Sequence, residues 1–134
     1  LLVVPGATLQ RDLAWLRRHA GEAFAVITDV TAGEAVLCVM GPRSRELLAT
    51  LTDADLSNAA FPFGTSQTID LAYARVRASR ITYVGELGWE IYIPTDCAPA
   101  VFDALMAAGE PFGLRLAGYH ALNSLRMEKG YRGN

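Results

Sequence analysis

Massed basic charge is missing from this sequence. Twelve Lys and Arg residues stand against fourteen Asp and Glu, a formal net charge of −2 with both histidines neutral. The arginines are scattered rather than gathered in a stripe, which argues against a protein that tracks a nucleic-acid backbone. Cysteine is also scarce. Cys38 and Cys97 alone indicate neither a disulfide framework nor a zinc site, so a reducing, cytoplasmic compartment is expected, with both thiols buried as small hydrophobes. No apolar run approaches the roughly eighteen residues of a membrane span, and no basic, signal-like start precedes one, so no membrane partner is expected. A Gly-rich phosphate fingerprint is lacking too: Gly85 and Gly88 bracket a turn rather than open a helix.

What the sequence does have is apolar bulk. Hydrophobic residues make up 51% and charged ones 19%, with mean hydropathy +0.21. That excludes a disordered chain and fits a compact domain with much surface committed to burial. The 134 residues leave room for one core or for two small lobes sharing one. The chain opens without Met in Leu1-Leu2-Val3-Val4 and stops at Gly133-Asn134, so it reads as a piece of a longer protein. Exposed apolar patches are then expected where missing domains of the same chain would sit.

Residue patterning predicts the order β-α-β-β-α-loop-β-β-α-α. Leu1 to Val4 reads as a short buried strand. Thr8 caps a helix carrying Leu9, Leu13, Leu16 and Ala20 at three- and four-residue steps. The β-branched runs 24–30 and 35–40 flank Thr31-Ala32-Gly33-Glu34 and are expected to pair antiparallel. Gly41-Pro42 turns strand into helix, with Leu47, Leu48 and Leu51 inward. Residues 52–66 read as a loop whose Phe61 and Phe63 tuck onto the core. Residues 73–84 suit one bent strand or two, and 89–94 suit a strand with Trp89, Ile91 and Ile93 on one face and Glu90 and Tyr92 on the other. Asp96 caps the next helix, and a last helix over 117–129 points Ala121, Leu122 and Leu125 inward. The expected fold class is α+β, a mixed or antiparallel sheet with packed helices in ferredoxin-like layering. Residues 1–134 form one partial domain, or two interlocked lobes with a linker near 52–66.

One stretch carries a specific signal. Tyr83-Val84-Gly85-Glu86-Leu87-Gly88-Trp89-Glu90-Ile91-Tyr92 places two carboxylates around a Gly-bracketed turn after a tyrosine. Folded as a hairpin, it would make Tyr83 and Glu90 neighbours able to converge on one ligand. The bland alternative is a solvated hairpin end. Glu90 stands apart because it sits between Trp89 and Ile91 in a strand-forming run, where half-burial of a carboxylate demands a donor. Glu86 reads as exposed or structural, and Trp89 and Tyr92 as core or ring wall. Arg126 reads as an anchor for neighbouring backbone or carboxylates. His19 and His120 have no partners at triad or metal-ligand spacing.

The run Tyr-Val-Gly-Glu-Leu-Gly-Trp-Glu-Ile-Tyr-Ile-Pro at 83–94 resembles the folate-binding region of the glycine cleavage T-protein (aminomethyltransferase) family. Gly113-Leu114 through Leu125-Arg126-Met127-Glu128 resembles its second signature. Leu2-Val3-Val4 with the following helix, and Val39-Met40-Gly41-Pro42-Arg43-Ser44, are similar as well. Within the superfamily, Ala117 to Leu122 and Leu125 to Arg132 look like the folate-dependent demethylating dehydrogenases, the dimethylglycine and sarcosine dehydrogenases. Leu122-Asn123 stands where T-proteins usually carry Arg-Asp, which removes an arginine contact to folate.

The resemblance implies an enzyme for the parent protein, with the fragment alone inactive. A flavin domain elsewhere in the parent, holding FAD, would oxidise a small N-methyl amine, and tetrahydrofolate would take up the carbon as 5,10-methylenetetrahydrofolate. Glu90 corresponds to the carboxylate that binds the pterin, and Tyr83 to the site tyrosine that packs on or hydrogen-bonds the same ring. No catalytic residue is carried over, because the family's critical aspartate aligns upstream of Leu1. The alternatives are a glycine-cleavage aminomethyltransferase and a non-catalytic scaffold of the same superfamily.

Overall fold

The computed structural model describes residues 1–132; Gly133 and Asn134, with which the sequence stops, lie outside the described residues. It divides into two compact units, the first Leu1–Thr31 and the second beginning at Ala32. The stretch 52–66 lies inside the second unit.

In the first unit a 3-10 turn at Gly6–Thr8 leads into helix α1, Leu9–His19. Leu9, Leu13, Leu16 and Ala20 form its half-buried stripe. Thr8 occupies the N-cap position, but its hydroxyl donates to the Asp12 carboxylate instead of accepting from a backbone N–H. His19 stacks on Trp15 at the exposed helix end, ring centroids 4.0 Å apart. Two expected strands are absent. Leu1 to Val4 and residues 24–30 adopt no regular structure, and Phe24 and Val26 are fully exposed. High β propensity does not make a strand by itself, because a strand needs a neighbour to take its backbone N–H and C=O groups.

The second unit is built on one antiparallel sheet. Its strands are β1 (Glu34–Met40), β2 (Ser66–Leu71), β3 (Ala74–Ser79) and β4 (Gly88–Pro94), in the order β1-β4-β3-β2. Helices α2 (Ser44–Ala49) and α3 (Ala98–Gly109) bring Leu47, Leu48, Val101 and Leu105 into one cluster with Val39, Ile69, Val76, Trp89, Ile91 and Ile93. This is the α+β layering expected from sequence, with helices on one face of the sheet. Helix α4, Tyr119–Glu128, has no buried residue. Only Leu122 of the three side chains expected inward is half-buried, while Ala121 and Leu125 are exposed.

Three further expectations need correction. Strand β2 falls at the end of the presumed loop, and its partner β3 ends at Ser79. The two join through Ala72 and Tyr73, at φ 46° and 70°, where a two-residue hairpin calls for positive φ and normally recruits Asn or Gly. The Ala72 N–H donates to the Leu51 carbonyl at 3.0 Å, so the turn is fastened to the chain leaving α2. Phe61 is completely buried whereas Phe63 is 65% exposed; one ring tucks in, not two. Asp96 caps nothing, since the N-cap of α3 is Cys97, without a side-chain hydrogen bond.

Phe61 meets Trp89 edge-on, centroids 6.1 Å apart at 70°. Arg80, itself buried, donates to the Phe61 carbonyl at 2.6 Å and to Asn58 Oδ1 at 2.8 Å. Its guanidinium lies 5.7 Å from the centre of the Trp89 ring. The loop after α2 is thus tied to β4 through one aromatic pair and one arginine. Replacing Phe61 by Ala should cost about 3–5 kcal/mol of stability. Urea unfolding followed by tryptophan fluorescence measures it, and a loss below about 1 kcal/mol would contradict this packing.

Candidate functional site

Because β4 is central, its alternation decides what lies on each side of the sheet. Trp89, Ile91 and Ile93 enter the core, at 0%, 1% and 0% exposure. Glu90 and Tyr92 project from the opposite face, as the sequence predicts. The register aligns Cys38 of β1 and Ser79 of β3 with Glu90, and Val36 and Arg77 with Tyr92. Glu34 of β1 completes the group by pairing with Arg77 at 3.2 Å.

Glu90 is half-buried and, among the described residues, has no basic partner. Its Oε2 accepts a hydrogen bond from the Tyr92 hydroxyl at 2.9 Å, while Oε1 takes no hydrogen bond from these residues. Ser79 is occupied with Ser66, 3.1 Å away on β2. Burial, the bond to Glu90 and the charge of Glu90 together push the Tyr92 phenol from 10.0 up to about 12, against an opposing pull from Arg77. Cys38 is exposed, contrary to the expectation of a buried thiol, because its strand position faces away from the core. Loss of solvent around the sulfur, followed by the Glu90 charge, still raises its pKa.

Tyr83 is not a strand residue. The segment 80–87 is irregular, and both strand edges of Glu90 are occupied by β1 and β3. Tyr83 is therefore not a strand partner of Glu90, as a hairpin would have made it. Tyr83, 36% exposed, instead lies beside helix α4, with the Arg126 guanidinium 5.7 Å from its ring centre. Arg126 acts as the expected anchor, donating to the Tyr131 carbonyl at 2.8 Å and to Asn123 Oδ1 at 2.9 Å. Glu86 pairs with Lys129 at 2.8 Å, in keeping with a structural role. Gly85 has φ +69°, and a Cβ there would stand 2.6 Å from Cβ of Lys129. At Gly88 a Cβ would meet Cγ of Met40 at 2.7 Å. Both glycines of the motif therefore serve close approach, one to the segment after α4 and one to β1. Between them, the Leu87 carbonyl accepts from the Gly41 N–H at 2.7 Å and the Ser44 hydroxyl at 3.1 Å.

Residues 1–133 match the family described as the GCVT N-terminal domain. The chain belongs to that GCVT N-terminal domain family. Among curated relatives, the 4-methylaminobutanoate oxidase (formaldehyde-forming) of Paenarthrobacter nicotinovorans is 45% identical over 98% of this chain and 16% of its own length. Mouse mitochondrial sarcosine dehydrogenase is 48% identical over 98% of this chain and 14% of its own. The chain thus spans about a sixth or less of these proteins. A heterotetrameric sarcosine oxidase from Corynebacterium sp. U-96, solved in complex with pyrrole 2-carboxylate, superposes with TM-score 0.66 over 79% of this chain and 53% of that one, at 24% identity. That likeness concerns the fold. Among the described residues, no helix is long and apolar enough to cross a membrane and no cluster of metal-ligating side chains occurs.

Within this GCVT domain the Tyr92–Glu90 bond was missed as a pair, although period-two alternation already put both residues on one face. The sequence alone does not reveal the occupied edges of Glu90, because register depends on which strands flank β4. The phenol carries a measurable signature. A folded-state value of about 12 against an ordinary 10.0 means that Tyr92 contributes stability fully below about pH 10 and loses it as pH rises through about 12. In the ultraviolet titration, the difference between the native protein and Tyr92→Phe should show this late ionisation. Glu90→Gln should bring it back toward 10.0; an unchanged curve would deny the bond.

Proposed function

We propose that this domain supplies part of a tetrahydrofolate site, with Glu90 as the acceptor for the pterin. The observation that carries the reading is a half-buried carboxylate held by one neutral donor, with one oxygen unengaged and no cation beside it among the described residues. A pterin offers a ring N–H and an exocyclic amine side by side, and a carboxylate so placed can accept from both. Such charge-assisted bonds fix orientation as well as adding energy. The donor chemistry therefore fits the cofactor that the family resemblance implies. Tyr83 would contribute a ring wall from the 80–87 segment, steadied by Arg126 rather than by a strand pairing with Glu90.

In the parent protein the bound folate would accept a one-carbon unit from an oxidised N-methyl amine such as dimethylglycine or sarcosine. The residues described here would bind and orient it and would not transfer protons, so their contribution is one of positioning. FAD, other folate contacts and the family's aspartate would belong to parts of the parent outside residues 1–134. Leu122-Asn123 in place of Arg-Asp supports this branch over glycine cleavage, as does the 48% identity to a sarcosine dehydrogenase, set against 40% to an aminomethyltransferase and 37% to a dimethylglycine dehydrogenase.

Titration of the full-length parent with tetrahydrofolate tests the assignment. Glu90→Gln keeps the shape but removes the charge, and affinity should fall by about 10- to 150-fold, corresponding to about 1.5–3 kcal/mol. Equal affinity in both proteins would remove Glu90 from the site.

A further inference from the structure

We infer that Tyr92 is a positioning residue for the ligand-binding carboxylate: by donating to Oε2 of Glu90 it holds that side chain ready for a ligand edge with two adjacent N–H donors. The inference rests on the proposed folate reading, which uses the Tyr92 bond only to describe the state of Glu90, and gives that bond a role in ligand affinity.

The other groups facing Glu90 are each engaged or unsuited. Arg77, one register step away on β3, is paired with Glu34 of β1. Ser79, directly opposite Glu90 on β3, gives its hydroxyl to Ser66. Cys38, directly opposite on β1, has a thiol, which is a weak donor. Tyr92 is the one donor to Glu90 among the described residues. It is also well placed to stay put: the residue is only 6% exposed, its strand is laddered on both sides, and residues two apart on a strand lie on the same face. A glutamate left free on an open sheet face would sample several rotamers, and a ligand would have to freeze them on binding. The phenol freezes them beforehand, which raises affinity without touching the ligand. One lone pair of Oε2 is used in doing so. Oε1 and the second lone pair of Oε2 stay available, which suits paired N–H donors.

A double-mutant cycle in the full-length parent separates this role from simple packing. Tetrahydrofolate dissociation constants are measured by calorimetry for the native protein, Tyr92→Phe, Glu90→Ala and the double variant. Tyr92→Phe should weaken binding about five- to tenfold, the cost of ordering on binding a side chain that the phenol otherwise holds in place. In the Glu90→Ala background the same change should alter binding less than about twofold, because no carboxylate remains to be held. Equal losses in both backgrounds would show Tyr92 acting through packing and overturn the inference. No loss from Tyr92→Phe in the native background would overturn it too. Should Tyr92→Phe not fold, Glu90→Asp replaces it: the charge is kept but withdrawn by one methylene from the phenol, and native-like affinity would overturn the inference. Glu90→Ala binding as tightly as the native protein would instead refute the folate reading itself, which keeps the two failures distinct.

Discussion

The central place of β4 governs everything else in the second unit. With β1 on one side and β3 on the other, the strand cannot slip by one residue without exchanging its two sets of side chains. Trp89, Ile91 and Ile93 are completely or almost completely buried, and each large apolar side chain contributes on the order of 1.5–3 kcal/mol by leaving water. A slipped register would expose all three and drive Glu90 into the core without a partner. The energy that keeps β4 in register is therefore the same energy that presents Glu90 and Tyr92 on the other face. Packing on one side of the sheet sets the geometry of the polar side.

A second layer of constraint comes from the irregular run that enters β4. It is held at its end by the Leu87 carbonyl, which takes two donors from the turn into α2. In its middle it is held by contact with the chain after α4, where Gly85 leaves no room for a side chain. The charges there reinforce the contact without dominating it, since Glu86 and Lys129 are both well solvated and exposed ion pairs add little. Glycines at 85 and 88 thus mark two close approaches in the structure, and neither opens a phosphate-binding loop.

What could be read from the sequence follows from how local each signal is. The strands at 34–40 and 88–94 and helices α1 and α3 announce themselves by period, and the α+β class follows from their alternation. The two-faced character of β4 was legible for the same reason. The hairpin at Ala72 and Tyr73 was not, because it lacks the Asn-Gly chemistry that usually betrays such a turn, and so β2 went unrecognised. The run 24–30 failed in the opposite way: its composition is that of a strand, but pairing is a property of two segments. The hairpin pairing of Tyr83 with Glu90 failed because Gly-bracketed turns suggest hairpins, whereas here the chain before the turn is not a strand and β4 finds its partners at 34–40 and 74–79.

The electrostatics of the polar face give Glu90 its particular character. Two weak acids flank it, the Cys38 thiol and the Tyr92 phenol, and both are held in their protonated forms, in each case mainly by loss of solvent and then by Glu90 itself. The nearby guanidinium of Arg77 is satisfied by Glu34. Among the described residues, the strand positions directly opposite Glu90 are consequently neutral, Cys38 and Ser79, and the nearest charges of its strand neighbours are the mutually paired Arg77 and Glu34. Half-burial makes the Glu90 charge more demanding than it would be in open water, and one phenolic donor meets only part of the demand. A carboxylate left in that condition is stabilised further by neutral N–H donors arriving from outside. It needs no large rearrangement to receive them, because its own orientation is already set from within the strand.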